Sequence, residues 1–173
     1  MSCELATKRP HVANNSGNNE WYTPPHILAA AREVMGGIDL DPASSEQANR
    51  AVGAARFFTK DDDGLTRRWS GRVWLNPPYG RGLIAPFITK LCEHYAAGDV
   101  CEAIVLVNNA TESKWFQELL SRSSAACFLA GRVKYLAPDG VKNTPLQGQV
   151  ILYIGNRPEA FAFRFSDYGI VLH

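Results

Sequence analysis

The sequence predicts an α/β fold, a mostly parallel sheet with an antiparallel end and helices on both faces. Three observations carry that prediction. Amphipathic stretches of helical period alternate with short apolar runs through most of the chain. The run EAIVLV, residues 102–107, is continuously apolar after its first residue, as in a strand covered on both faces. Beyond about residue 130 the helical patterns give way to strand-like segments joined by turns, which calls for antiparallel pairing.

Residues 1–19 are polar, Asn-rich and unpatterned, and read as a flexible tail ahead of a single domain over 20–173. The first helix is expected from Pro24 or Pro25 to Met35, with Thr23 as its N-cap and Gly36-Gly37 as its stop. Its prolines fall in the first turn, where a missing N–H costs little. GIDLDPASS is a short strand that breaks at Pro42, and residues 45–55 suit a short helix. RFFTKDDDGL is a loop, and GRVWLNPPYG is a strand and turn. Proline cannot donate to a ladder, so Pro77 and Pro78 end that strand.

Leu83 to Ala97 forms a second amphipathic helix, with Pro86 in its first turn and Gly98 as its stop. KWFQELLSR, following Ser113, is a third, and AACFLA is a buried strand. GRVKYLAP, GQVILYIG and AFAFRFS all read as strands. In the last of these, Phe161, Phe163 and Phe165 alternate with Ala162 and Arg164, as on a strand with one wet face.

A chain of 173 residues is long enough to bury a core without covalent staples. Its formal charge of +1 excludes a polybasic tail that grips nucleic acid by charge alone, though not a local basic patch. The four cysteines form no CxxC, so reduced thiols are expected rather than a disulfide framework or a zinc site. The histidines do not cluster, and no Ser/His/Asp or Cys/His set suggests nucleophilic or metal catalysis. No run approaches the roughly 18 apolar residues of a membrane span, and the first residues lack an apolar signal core. A cytoplasmic location is expected.

In open α/β sheets ligands bind beyond the carboxyl ends of the strands. DLDPAS and LNPPYG place unusual polar residues there, and EWYTP precedes the first helix. In LNPPYG, the Asn76 side-chain oxygen and the Pro77 carbonyl can both accept hydrogen bonds from one amino group. Tyr79 offers a flat surface for a planar base, a contact worth about 1–3 kcal/mol. An Asn-initiated turn with Tyr79 in the core fits the same residues.

Asn-Pro-Pro-Tyr after a strand resembles the signature of amino-methyltransferases that use S-adenosylmethionine (SAM). Those enzymes act on adenine or cytosine in nucleic acids, or on a glutamine amide in proteins. The ordered set NNEWYTPPHIL, IDLDPASSEQANRA, FFTKDDDGLTRRWSGRVWLNPPYG, ATESKWF and AGRVKYLAP spans about residues 20–155. It is similar to the small phage-type DNA N-6-adenine methyltransferase, or Dam-like, family. The resemblance implies a compact Rossmann-like SAM-dependent methyltransferase sheet that methylates the 6-amino group of adenine in DNA, with the target base flipped out.

By that resemblance, Asn76 and the Pro77 carbonyl hold the target amine, Pro78 sets the turn, and Tyr79 stacks on the base. Trp21, Tyr22, Thr23 and Pro24 lie beside the methionine moiety of the cofactor; a helix cap with a packed tryptophan is the alternative. Asp41-Pro42 matches the acidic end of a cofactor strand, but Ala43-Ser44-Ser45 stands where glycines are usual. DLDPAS is either the first or the second cofactor strand, and in both cases Asp39 or Asp41 touches the cofactor. A turn aspartate capping ASSEQANR is the competing assignment. Asp63, in KDDDGL, is the candidate partner of the cofactor's adenine amine, although three acids before a glycine also make a solvated turn.

Arg56, Lys60, Arg67, Arg68, Arg72 and Arg81 flank the proposed base seat and suit phosphate contacts or pairing with Asp61 to Asp63. Arg67, Arg68 and Arg81 are the DNA-binding candidates among them. AGRVKYLAPDGVKNTPLQGQ adds Arg132, Lys134, Lys142, Asn143 and Gln147, a candidate target-recognition segment or a plain hairpin connection. Two rival functions fit the same pattern: methylation of a protein glutamine amide, and an inactive module that binds DNA or SAM. The oligomeric state is left open.

Overall fold

A computed structural model describes residues 22–80, 82–136, 142–143 and 147–173. The tail, Trp21, Arg81 and the side chains of Lys142 and Asn143 lie outside the described residues. In chain order the elements begin with α1 (Pro25–Met35), β1 (Leu40–Asp41), α2 (Glu46–Val52) and β2 (Arg56–Phe57). A 3-10 turn (Gly64–Thr66), β3 (Gly71–Leu75), α3 (Ile84–Ala96), β4 (Val100–Asn108) and α4 (Lys114–Arg122) follow. The remainder is β5 (Ala125–Leu129), β6 (Tyr135–Leu136), β7 (Lys142–Asn143), β8 (Gln149–Ile154), α5 (Pro158–Phe165) and β9 (Gly169–Leu172).

Seven strands form one sheet in the order β2-β1-β3-β4-β8-β5-β9, and β6 and β7 pair in a small ribbon. The sheet is parallel from β2 to β4 and antiparallel from β4 to β9. β8 runs against both β4 and β5, so β4 and β5 point the same way. The carboxyl ends of β1, β3, β4 and β5 therefore share one rim of the sheet.

Alternation along β4 explains its unbroken apolar run. Ile104 and Leu106 join Trp74, Ile151 and Tyr153 beneath α1 and α5, while Ala103, Val105 and Val107 join Val73, Leu75 and Leu152 beneath α3 and α4. Helices thus cover both faces. α1 turns Ile27, Leu28, Ala31, Val34 and Met35 inward and ends at Gly36 in the left-handed region (φ 71°). Its N-cap is Pro24, whose carbonyl accepts from the Ile27 and Leu28 amides; Thr23 does not cap it. Ser45 caps α2 by accepting from the Ala48 amide at 3.1 Å, and Ser113 caps α4 by accepting from the Phe116 amide at 3.4 Å.

Two expected strands differ. AFAFRFS is the helix α5: Pro158 opens it, and Phe161 and Phe165, four residues apart, enter the core together. Phe163, also aromatic, is 78% exposed. The alternation that suggested period two is equally the i, i+4 pair of a helix. Among the described residues of GRVKYLAP only Tyr135 and Leu136 form a strand, β6, which pairs with β7 outside the seven-stranded sheet.

The opposite rim is tied by charge. Both oxygens of Asp39 accept from Arg72, at 2.9 Å from Nε and 2.7 Å from Nη2, and Arg72 also donates to the Met35 and Gly36 carbonyls that end α1. This fork holds the Asp39 carboxyl below its usual range. Buried Glu102 accepts from the Tyr153 hydroxyl and from Arg157, joining β4, β8 and the start of α5. Among the described residues no helix is long and apolar enough to cross a membrane.

Candidate active site

At the rim shared by the parallel strands, Pro77 and Pro78 stop β3 after Leu75 and send the chain outward. Asn76 to Tyr79 then wall one side of a cavity of about 570 Å3. Its other side is made by Tyr22 and Thr23, by Asp41 to Ser45 after β1, and by Thr59, Lys60, Asp63, Gly64 and Leu65. That volume lies within the roughly 300–1,000 Å3 of small-molecule sites.

The Asn76 amide nitrogen donates to Thr23 Oγ1 over a long 3.4 Å, and its Oδ1 is buried. This bond fixes which end of the amide serves as the acceptor. Tyr79 points its hydroxyl inward, donating to the Leu106 carbonyl at 3.1 Å and meeting the Tyr135 hydroxyl at 3.1 Å. Burial, with Tyr135 adding to it, keeps that phenol protonated well above its ordinary range. The ring is therefore anchored at its tip and half-buried along its face. Tyr135 sits in the segment that leaves the sheet and makes an edge contact with Tyr79, ring centroids 6.4 Å apart.

Asp41 is 2% exposed, and burial raises its pKa to about 6 against the pull of the Ala43 amide, 3.2 Å from Oδ1. Ser44 Oγ lies close to this carboxyl but makes no hydrogen bond of acceptable geometry among the described residues. A buried acid and a buried hydroxyl thus border one cavity, a donor set suited to the hydroxyl and amino groups of a polar ligand. The residues present fit SAM on that ground.

The 3-10 turn completes the wall. Asp63 sits in the left-handed region (φ 50°), lines the cavity, and accepts from the Leu65 amide at 3.2 Å. Asp63 thus caps its own turn and also borders the cavity. Trp69 Nε1 donates to the Gly64 carbonyl at 2.7 Å and pins the turn to the core.

The structure thus brings together Tyr22, Thr23, Asp41, Pro42, Asp63, Asn76, Pro77, Pro78 and Tyr79. Two expected cofactor residues stand apart. Asp39 precedes β1 and is committed to Arg72 at the far rim, and Pro24 is taken up by the start of α1. Arg68 is also displaced: it is 76% exposed and pairs with Asp99 at 2.6 Å, before β4, at the rim opposite the cavity. Arg67 is exposed and donates to the Asp62 carbonyl at 3.0 Å beside the 3-10 turn. Arg132 and Lys134 are exposed on the segment after β5, at the cavity rim. Gln149 escaped the sequence reading. It is 3% exposed, donates to Asn108 Oδ1 and the Gln147 carbonyl, and accepts from the Val133 amide, binding the crossing segment to β4. A lone amide opening the apolar run QVILYI was its signal.

A family model described as DNA N-6-adenine-methyltransferase (Dam) matches residues 11–158, which include every wall of this cavity. The chain belongs to this family. The DNA N-6-adenine-methyltransferase of Escherichia phage T1 is 33% identical over 130 residues, 72% of this chain and 51% of that protein. The chain therefore spans about half the length of this relative of the Dam family. A crystal structure of Thermoplasma acidophilum 1320 shares 20% identity over 68% of this chain and 60% of that one, with a TM-score of 0.35. Among the described residues no group of His, Cys, Asp or Glu is arranged to hold a metal ion.

Proposed function

We propose that this protein transfers a methyl group from SAM to the exocyclic 6-amino group of adenine in DNA. The observation that carries this reading is that Asn76, Pro77, Pro78 and Tyr79 wall the same cavity as Thr23, Asp41 and Asp63. An amine seat and a pocket for a polar cofactor thus open onto one space. When bound, SAM supplies a methyl group on a sulfonium, so that transfer leaves a neutral thioether.

The chain's part is positioning and electrostatics. Asn76 Oδ1 and the Pro77 carbonyl accept the two hydrogens of the target amine and turn its lone pair out of the ring plane. Tyr79, fixed through Leu106 and Tyr135, presents its ring to the base. The amine proton leaves after attack, so no separate base is needed beforehand. Asp41 and Ser44 would hold hydroxyl or amino groups of the cofactor, with Asp63 on the neighbouring 3-10 turn. The target base is reached by flipping out of the duplex.

Labelled SAM incubated with unmethylated duplex DNA should place label on adenine N6. Asn76→Ala should lower turnover at least about a hundredfold while SAM affinity stays within about twofold. Label on protein glutamine instead of DNA, or wild-type turnover by Asn76→Ala, would overturn the assignment.

A further inference from the structure

Beyond Tyr79 lies a second cavity, of about 240 Å3, bordered by Tyr79, Ile84, Asn108, Ala110, Trp115 and Gln147. It is smaller than the roughly 300 Å3 at which drug-sized sites begin and several times the roughly 30 Å3 of a water. One flat ring system suits that space; a whole cofactor does not. Tyr79 borders both cavities, so an occupant of the second is a neighbour of whatever occupies the first.

Its walls are of two kinds. Trp115, half-buried at the start of α4 and braced edge-on by Phe116 at 5.7 Å, supplies an aromatic surface. Asn108, at the carboxyl end of β4, and Gln147 supply amides, groups that donate and accept side by side as the edges of nucleobases require. The Asn108 amide is already oriented. Gln149 donates to its Oδ1 at 3.1 Å, which leaves the NH2 as the group Asn108 presents. Gln149 in turn is fixed by the Val133 amide and the Gln147 carbonyl, so the polar edge is built before any ligand arrives.

We propose that this second cavity seats the nucleobase next to the target adenine, stacked on Trp115 and read at its edge by Asn108 and Gln147. The proposal rests on DNA adenine as the substrate of the first cavity. It makes the amide pair a determinant of flanking-sequence preference and Trp115 a source of affinity that does not depend on base identity.

The test is a thermodynamic cycle between Trp115 and the neighbouring base. Short duplexes carry one target adenine with an intact or an abasic nucleotide on its 5′ or its 3′ side. For one of these sides, the abasic nucleotide should weaken wild-type binding about tenfold, and Trp115→Ala should weaken binding to intact DNA by a similar factor. The two losses should not multiply when combined. Trp115→Phe, which keeps an aromatic face, should retain most of the affinity, and SAM binding should be unchanged in both variants. Asn108→Ala should flatten the preference among the four neighbouring bases. Losses that multiply on both sides, or wild-type affinity in Trp115→Ala, would overturn the proposal. Product formation by the wild-type protein is followed in the same duplexes. Absence of methyladenine counts against the first cavity's substrate, whereas product without Trp115–base coupling counts against the second cavity alone.

Discussion

At the end of β1 a carboxyl group is sealed from water and given one backbone amide, from Ala43, as a partner. Burial raises the Asp41 pKa from 3.8 to about 6, so the folded protein holds this proton more tightly than the unfolded chain does. The stability so contributed is fully present below about pH 4 and is lost as pH rises through about 6. A ligand that donates to the carboxylate has the opposite dependence, because it favours the ionised form. SAM affinity is therefore expected to rise by about tenfold between pH 5 and pH 7, and Asp41→Asn should bind weakly with no such rise. In the absence of ligand, the wild-type melting temperature should fall relative to Asp41→Asn over pH 4 to 7. Calorimetric titration and thermal melts at the two ends of the range check both. A pH-independent wild-type affinity would remove Asp41 from the ligand's contacts.

Among the elements, the 3-10 turn has the most leverage for its length. A Cβ on Gly64 would overlap the Pro42 carbonyl oxygen, so the turn and the end of β1 touch backbone to backbone. Gly64→Ala should push that wall outward, destabilising the fold by about 1–3 kcal/mol and weakening SAM binding. Gly131→Ala, where an added Cβ meets nothing within 4 Å, should stay within about 0.5 kcal/mol of wild type. Urea unfolding with SAM titration separates the two. The sequence announced this turn only as DDDG, since a close approach between residues 42 and 64 has no local signature. What was legible had local causes: α1, α3 and α4 by their apolar faces and stops, β4 by its double burial, and the end of β3 by its prolines. That Asn76 to Tyr79 leave β3 in a proline-stiffened turn was legible for the same reason, whereas the contacts that fix Asn76 and Tyr79 come from Thr23, Leu106 and Tyr135. α5 was misread because phenylalanines two apart satisfy either period. The ion pairs of Asp39 and Arg68 have no local signature, because their partners, Arg72 and Asp99, lie 33 and 31 residues away. Tyr135 and Gln149 act through contacts made across the sheet rim, which no local pattern records.

Taken whole, the molecule separates its charges by rim. The far rim neutralises its own: Arg72 with Asp39, Arg68 with Asp99, and Arg157 with Glu102. The cavity rim presents Lys60 in its wall and exposes Arg67, Arg132 and Lys134 around it. The net charge of +1 is thus compatible with a local set of cations beside the cavity, among the acids Asp61 to Asp63 of the adjoining turn. Arg68, whose charge is already offset by Asp99, is expected to add little to phosphate affinity at the cavity. Each phosphate contact contributes about 0.9 to the slope of log affinity against log salt. Replacing both Arg132 and Lys134 by Ala should make that slope shallower by about 2 and weaken binding to all sequences alike. Arg68→Ala should leave the slope unchanged. Binding isotherms across 50 to about 200 mM salt decide between the rims. A slope reduced by Arg68→Ala and untouched by the double variant would place the DNA on the opposite end of the sheet and separate it from the Asn76 seat.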